Sequence, residues 1–149
     1  IMSTEIAIYK DKSFWIHDFV AEAWFAVLSK VILRDTSVPW LQEYKKEIDD
    51  MLGCRWLTGL VQFDSDIDTP EKEHLFKSLI LEVNEYLQNR ISENKGESNF
   101  VILLDNKEYV VAEFFLVPEV KRLTDLFFNP SAITANGYQC AGWDNWFHP

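Results

Sequence analysis

Asp64, Asp66 and Asp68 alternate along the chain, and alternating carboxylates are how a calcium-binding EF-hand loop begins. That loop also needs a glycine at its sixth position and a bidentate glutamate at its twelfth. Here those positions hold Thr69 and Leu75. The three aspartates therefore read as an acidic turn entering a helix, with carboxylates open to a basic partner. Glu71 and His74 form a single Glu-x-x-His, whereas a di-iron site draws two such motifs and two further glutamates from four helices. No metal is expected. His17 falls on the apolar side of a helix beginning near residue 13, close to Trp24 and Leu28. A histidine there is commonly hydrogen-bonded to the backbone or to a carboxylate, and catalysis would require a nucleophile and an orienting acid beside it. Cys54 follows Gly53 at a helix end, where the dipole opposes a thiolate, and Cys140 sits in a loop. The spacing leaves open whether these two pair. With five glycines there is no phosphate loop, dinucleotide fingerprint or nucleophile elbow. On its motifs the chain reads as a non-enzyme without a cofactor.

The elements that carry these residues follow from periodicity and caps. Glu5–Tyr9 reads as a short strand. Asp11, Lys12 and Ser13 offer caps for a helix from about 13 to 34, in which Ile16, Val20, Trp24, Val27, Leu28 and Val31 share a broad apolar face. A helix apolar over that much of its circumference belongs at the centre of a fold. A second helix is predicted from about 39 to 52, with Pro39 in its first turn and Gly53 just past its end. Arg55–Phe63 stays open between strand and coil, with Gly59 arguing against strand. Thr69 and Pro70 start the clearest helix, which carries Glu71 and Glu73 in its first turn and ends near Ser92. Asn99–Leu104 and Lys107–Val117, joined at Asp105–Asn106, read as a hairpin over about 99–117 that Pro118 closes. A short helix from about 119 to 128 follows, and from about 129 the chain reads as an irregular aromatic tail. The expected fold is α+β, a single compact domain over residues 1–149. Three or four helices pack on a small, mainly antiparallel sheet.

The chain has 149 residues, 48% hydrophobic and 15% aromatic, which suffices for a core and is too apolar for a disordered chain. It carries 24 acidic against 14 basic side chains, a formal charge of −10. Binding nucleic acid needs clustered Lys and Arg, so nucleic acid is not the expected partner. Phe14–Leu33, the most apolar segment, contains His17, Asp18, Glu22 and Lys30 and does not read as a membrane span. The first ten residues lack the basic and apolar regions of a secretory leader, and two cysteines make no disulfide scaffold. These features point to the cytoplasm. The acid is concentrated: residues 43–73 hold nine acidic and four basic side chains, and between Asp64 and Glu73 the only base is Lys72. Such a patch complements a basic protein, raising association rates and setting specificity.

A small, acidic, tryptophan-rich α+β domain without catalytic motifs resembles the immunity proteins of bacterial toxin–immunity pairs, including those of contact-dependent inhibition systems. The resemblance lies in size, charge and aromatic content. It implies a secreted toxin domain as partner, often a basic nuclease, neutralised by occlusion of its active site. Carboxylates would stand in for substrate phosphates, and aromatic anchors would form the desolvated centre. On this reading Asp64, Asp66, Asp68, Glu71, Asp49 and Asp50 supply the charge, and Trp143 and Trp146 the anchors. Two other readings compete. His17, Tyr86, Tyr109 and Glu113 could line the pocket of a small-ligand domain or enzyme, marked by a cavity of roughly 300 Å³ or more with convergent polar groups. Trp15, Phe19 and Leu33 could instead form the contact of a homo-oligomeric structural subunit.

Overall fold

The computed structural model describes residues 4–32, 37–54, 60–94, 98–104 and 106–133. The chain opens with an antiparallel hairpin, β1 (Thr4–Tyr9) and β2 (Lys12–His17), whose tight turn places Lys10 at φ 56°. Left-handed backbone at this position matches the twist of the flanking strands. The helix anticipated from residue 13 begins later, as α1 (Asp18–Ile32). All six residues of β2 pair with β1, and this ladder outweighs helical continuation of the same apolar run. β3 (Leu60–Gln62) pairs in parallel with the other edge of β1, giving the order β2–β1–β3.

Eleven of the fifteen residues of α1 are buried, as its broad apolar face requires. It packs against α2 (Pro39–Cys54), α3 (Pro70–Glu93), α4 (Glu113–Phe128) and strands of both sheets. Its Trp24 meets Phe63 and Phe76, which in turn meet Phe127, in an aromatic core with neighbouring ring centroids 4.9–6.4 Å apart. The rings lie tilted or edge-on, the arrangements their quadrupoles favour. α3 starts where local chemistry dictates. Thr69 Oγ1 accepts from the Lys72 backbone N–H at 3.2 Å, and Pro70 takes the first helical position.

β4 (Asn99–Leu104) and β5 (Lys107–Ala112) form a separate antiparallel hairpin with Asn106 at φ 66° in its turn. The predicted hairpin ran too far, because its second strand stops at Ala112 and residues 113–117 open α4. Val110, Ala112, Phe114 and Leu116 do alternate as a strand would. However, Leu116, Glu119, Leu123, Leu126 and Phe127 are buried at helical spacing, and that face prevails. Pro118 lies inside α4, where it forgoes one hydrogen bond early in the helix. The architecture is α+β: among the described residues, four helices surround a mixed three-stranded sheet and a two-stranded one. A short 3₁₀ turn, Pro130–Ala132, follows α4 within the tail predicted from about residue 129, and residues 134–149 of that tail lie outside the described residues. No described helix is long and apolar enough to cross a membrane.

Candidate functional site

Asp64, Asp66 and Asp68 occupy the turn between β3 and α3. Phe63 ties the turn down: its carbonyl accepts from the N–H groups of Asp66 (3.2 Å) and Ile67 (2.8 Å), and Ile67 is buried. The three carboxylates then diverge. Asp64 accepts the Lys10 backbone N–H through both oxygens, at 2.8 and 3.1 Å, and so holds the β1–β2 turn. Asp68 pairs with Lys72 Nζ at 3.0 Å, and that hydrogen bond keeps its carboxyl below the usual range. Asp66 turns toward α2 and meets Glu47.

The remaining candidates are dispersed. Glu71 is exposed in the first turn of α3, and Asp50 is exposed on α2. Asp49 lies on another flank of α2, where it accepts from Ser29 Oγ at 2.5 Å and from Lys45 Nζ at 2.6 Å. Trp143 and Trp146 lie outside the described residues, as do Trp56, Cys140 and Leu33.

The acid–acid contact is the most distinctive site on this side of the molecule. Residues spaced three and four apart share a helix face, so α2 presents Tyr44, Glu47, Ile48 and Met51 as one stripe. The stripe faces Phe25 of α1 and Val61 of β3. With Gln62 and Asp66 these side chains line a cleft of about 130 Å³. Partial burial pushes the Glu47 carboxyl up, as do the charge of Asp66, a hydrogen bond with it, and the charge of Glu43. Glu47 therefore keeps its proton to higher pH beside Asp66, the usual result when like charges share a site. The Tyr44 ring is buried; burial, then the charges of Asp66 and Glu47, raise its phenol well above the ordinary value, so it stays a hydroxyl. Among the described residues no lysine or arginine pairs with Glu43, Glu47 or Asp66. Such a cleft attracts a cation. Asp66 was legible as part of an acidic turn. Glu47 and Tyr44 belong to no motif, and their spacing of three on α2 is the signal the sequence offers for them.

His17 ends β2 rather than lying within the first helix. Its partner was not foreseen. Glu119 of α4 accepts the His17 backbone N–H through Oε1 at 2.6 Å and meets Nδ1 through Oε2 at 2.6 Å, with both residues buried. The Phe19 and Phe115 rings flank the imidazole, at 5.4 and 4.3 Å between centroids. Burial pushes Glu119 up against the opposing pull of His17 and Arg122. An acid that orients a histidine is half of a catalytic triad. Among the described residues, however, no serine, threonine or cysteine hydrogen-bonds to His17. The pair acts as a clasp between α4 and the end of β2. Tyr86 and Tyr109 do not join it: one lies under Lys30 and the other lines a separate cleft.

Among the described residues no group of three or more His, Cys, Asp or Glu side chains is placed to hold a metal ion. Comparison with protein families, with curated proteins and with solved structures finds no match to this chain.

Proposed function

We propose that this chain is a protein-binding inhibitor that neutralises a basic toxin domain, with the Glu47–Asp66–Tyr44 cleft as the socket for one of the partner's basic side chains. The observation that carries the proposal is a carboxyl pair held together without a cation among the described residues. Such a pair is unfavourable unless it shares a proton or gains a counter-ion. A partner's lysine or arginine supplies that counter-ion. The walls formed by Phe25, Ile48, Met51 and Val61 suit the methylene stem of either side chain. Arginine fits best, because its planar fork addresses two carboxyl groups at once. Glu43, Asp50 and Glu71 are exposed and have no cation partner among the described residues. They add steering charge that salt screens. For a nuclease partner, carboxylates in the place of substrate phosphates would block the active site without any chemistry.

The test is to purify the tagged chain from its native cells at low and then moderate salt, and to identify any stoichiometric basic protein retained. That protein's own activity is then measured with and without the chain. Inhibition that is lost in Glu47→Lys and Asp66→Lys, both checked for fold by circular dichroism, supports the proposal. A desolvated interfacial carboxylate should cost about 2–5 kcal/mol on removal, whereas Glu71→Lys should chiefly alter on-rate and salt dependence. A chain that elutes alone as a monomer at both salts would sink it.

A further inference from the structure

α2 has a second flank of opposite character. Its Lys45, Asp49, Leu52 and Gly53 face Ala26, Ser29 and Lys30 of α1 and the β4–β5 hairpin, which adds Leu103, Leu104, Lys107 and Tyr109. Between them lies a cleft of about 350 Å³, within the range of small-molecule sites, about 300–1,000 Å³. Three lysines from three different elements line it, and among the described residues Asp49 is its one acid. In a chain of formal charge −10 this is a local reversal of sign.

The Lys45–Asp49 contact alone is an ordinary pair one helical turn apart. It does not account for Lys30 and Lys107. An ammonium carries three N–H donors. Lys45 gives two of its own, to Ser29 Oγ at 2.9 Å and to Asp49 Oδ2 at 2.6 Å. Lys107 gives one, to the Leu52 carbonyl at 2.7 Å, and lies 5.6 Å from the centre of the Tyr109 ring. Lys30 gives none and sits 5.2 Å from the centre of the Tyr86 ring. The other six donors have no acceptor among the described residues. Two of the ammonium groups are thus held in place by the protein and still have bonds to give. The cleft is open beside Gly53, where a Cβ built on the backbone would meet nothing within 4 Å. Tyr109, Leu52, Leu103 and Ala26 offer apolar wall between the charges.

We propose that this cleft binds a small organic anion, an oxyanion head on an apolar or aromatic body, with the head among Lys30, Lys45 and Lys107 and the body against Tyr109 and Leu52. Compact ammonium charges recognise carboxylate and phosphate alike, without the fixed fork that arginine would impose. The site shares no lining residue with the acidic cleft.

Phenyl phosphate, benzoate and inorganic phosphate are the probes, each titrated into the full chain and followed by calorimetry and amide NMR. Phenyl phosphate or benzoate should bind saturably at one site, and their relative affinity names the head group. Shifts should centre on residues 29–30, 52–53 and 107–109. Lys30→Met, which forfeits no hydrogen bond among the described residues, and Lys45→Met should each weaken binding about tenfold or more. Lys46→Met, exposed on α2 away from the cleft, should leave it unchanged. No saturable binding by about 10 mM probe would overturn the proposal, as would an equal loss in Lys46→Met. Equal affinity for inorganic phosphate and phenyl phosphate would overturn the part assigned to the organic body.

Discussion

Glu73 and Glu119 both lie partly or wholly out of water, and their neighbours move them in opposite directions. Burial pushes Glu73 up, but hydrogen bonds from Tyr9 (2.9 Å) and Lys10 (3.2 Å), joined by Lys77, outweigh it and hold the carboxyl below the usual range. For Glu119 burial wins over the His17 contacts. The consequences for stability have opposite sign. The stabilisation from Glu73 is present above the ordinary carboxyl value of 4.5 and is lost as pH falls through its lower folded value. That from Glu119 is present below 4.5 and is lost as pH rises through its higher folded value. Glu73→Gln should therefore flatten the acid limb of the stability curve, and Glu119→Gln the limb above it. Urea midpoints from about pH 3 to 7 check both. Glu119→Ala should cost about 3–5 kcal/mol, because it removes one partner of a buried pair and strands the His17 N–H. A loss under about 1 kcal/mol would show that the clasp contributes little.

At the scale of elements, the legible parts of the fold are those with local chemistry. Thr69, Pro70 and the first-turn glutamates declare the start of α3 within a few residues. Thr69→Ala should lower unfolding free energy by about 1 kcal/mol in urea titration. Two boundaries were not legible, and for a shared reason. Lys12–His17 and Glu113–Val117 are apolar segments that suit either period, and partners distant in sequence decide between them. β1 claims the first as a strand. Core contacts of Leu116 and Glu119 claim the second as helix, overriding the stop that Pro118 suggested. The candidate sites follow the same division. Asp64, Asp66 and Asp68 stood out because they adjoin one another in the chain. The pairing of Asp66 with Glu47, of His17 with Glu119, and the meeting of Lys30, Lys45 and Lys107 each join residues that only the fold brings together.

Across the whole molecule, α1 is the member that every other layer needs. Trp24 has no exposed surface and touches the Phe63 and Phe76 rings from outside α1, so Trp24→Ala should cost about 3–5 kcal/mol and collapse the near-ultraviolet dichroism. Phe114, 78% exposed at the start of α4, is the matching control. Phe114→Ser should stay within about 0.5 kcal/mol of the parent in the same denaturation measurement. α2 then divides the surface by charge, with carboxyl groups unneutralised on one flank and ammonium groups gathered on the other.

The parallel pairing of β1 with β3 also governs how the chain must be made. A parallel neighbour cannot be reached by a tight turn, and here α1 and α2 intervene between Tyr9 and Leu60. During synthesis the first hairpin emerges with one edge of β1 bare, and it stays bare until Gln62 has cleared the ribosome. At ordinary elongation rates, about 5–20 residues per second, that interval lasts about 2–9 s. Throughout it Ile6 and Ile8 present free backbone groups to any neighbouring nascent strand. The period in which this protein is most open to mispairing is thus set by the speed of translation rather than by the speed of its own folding.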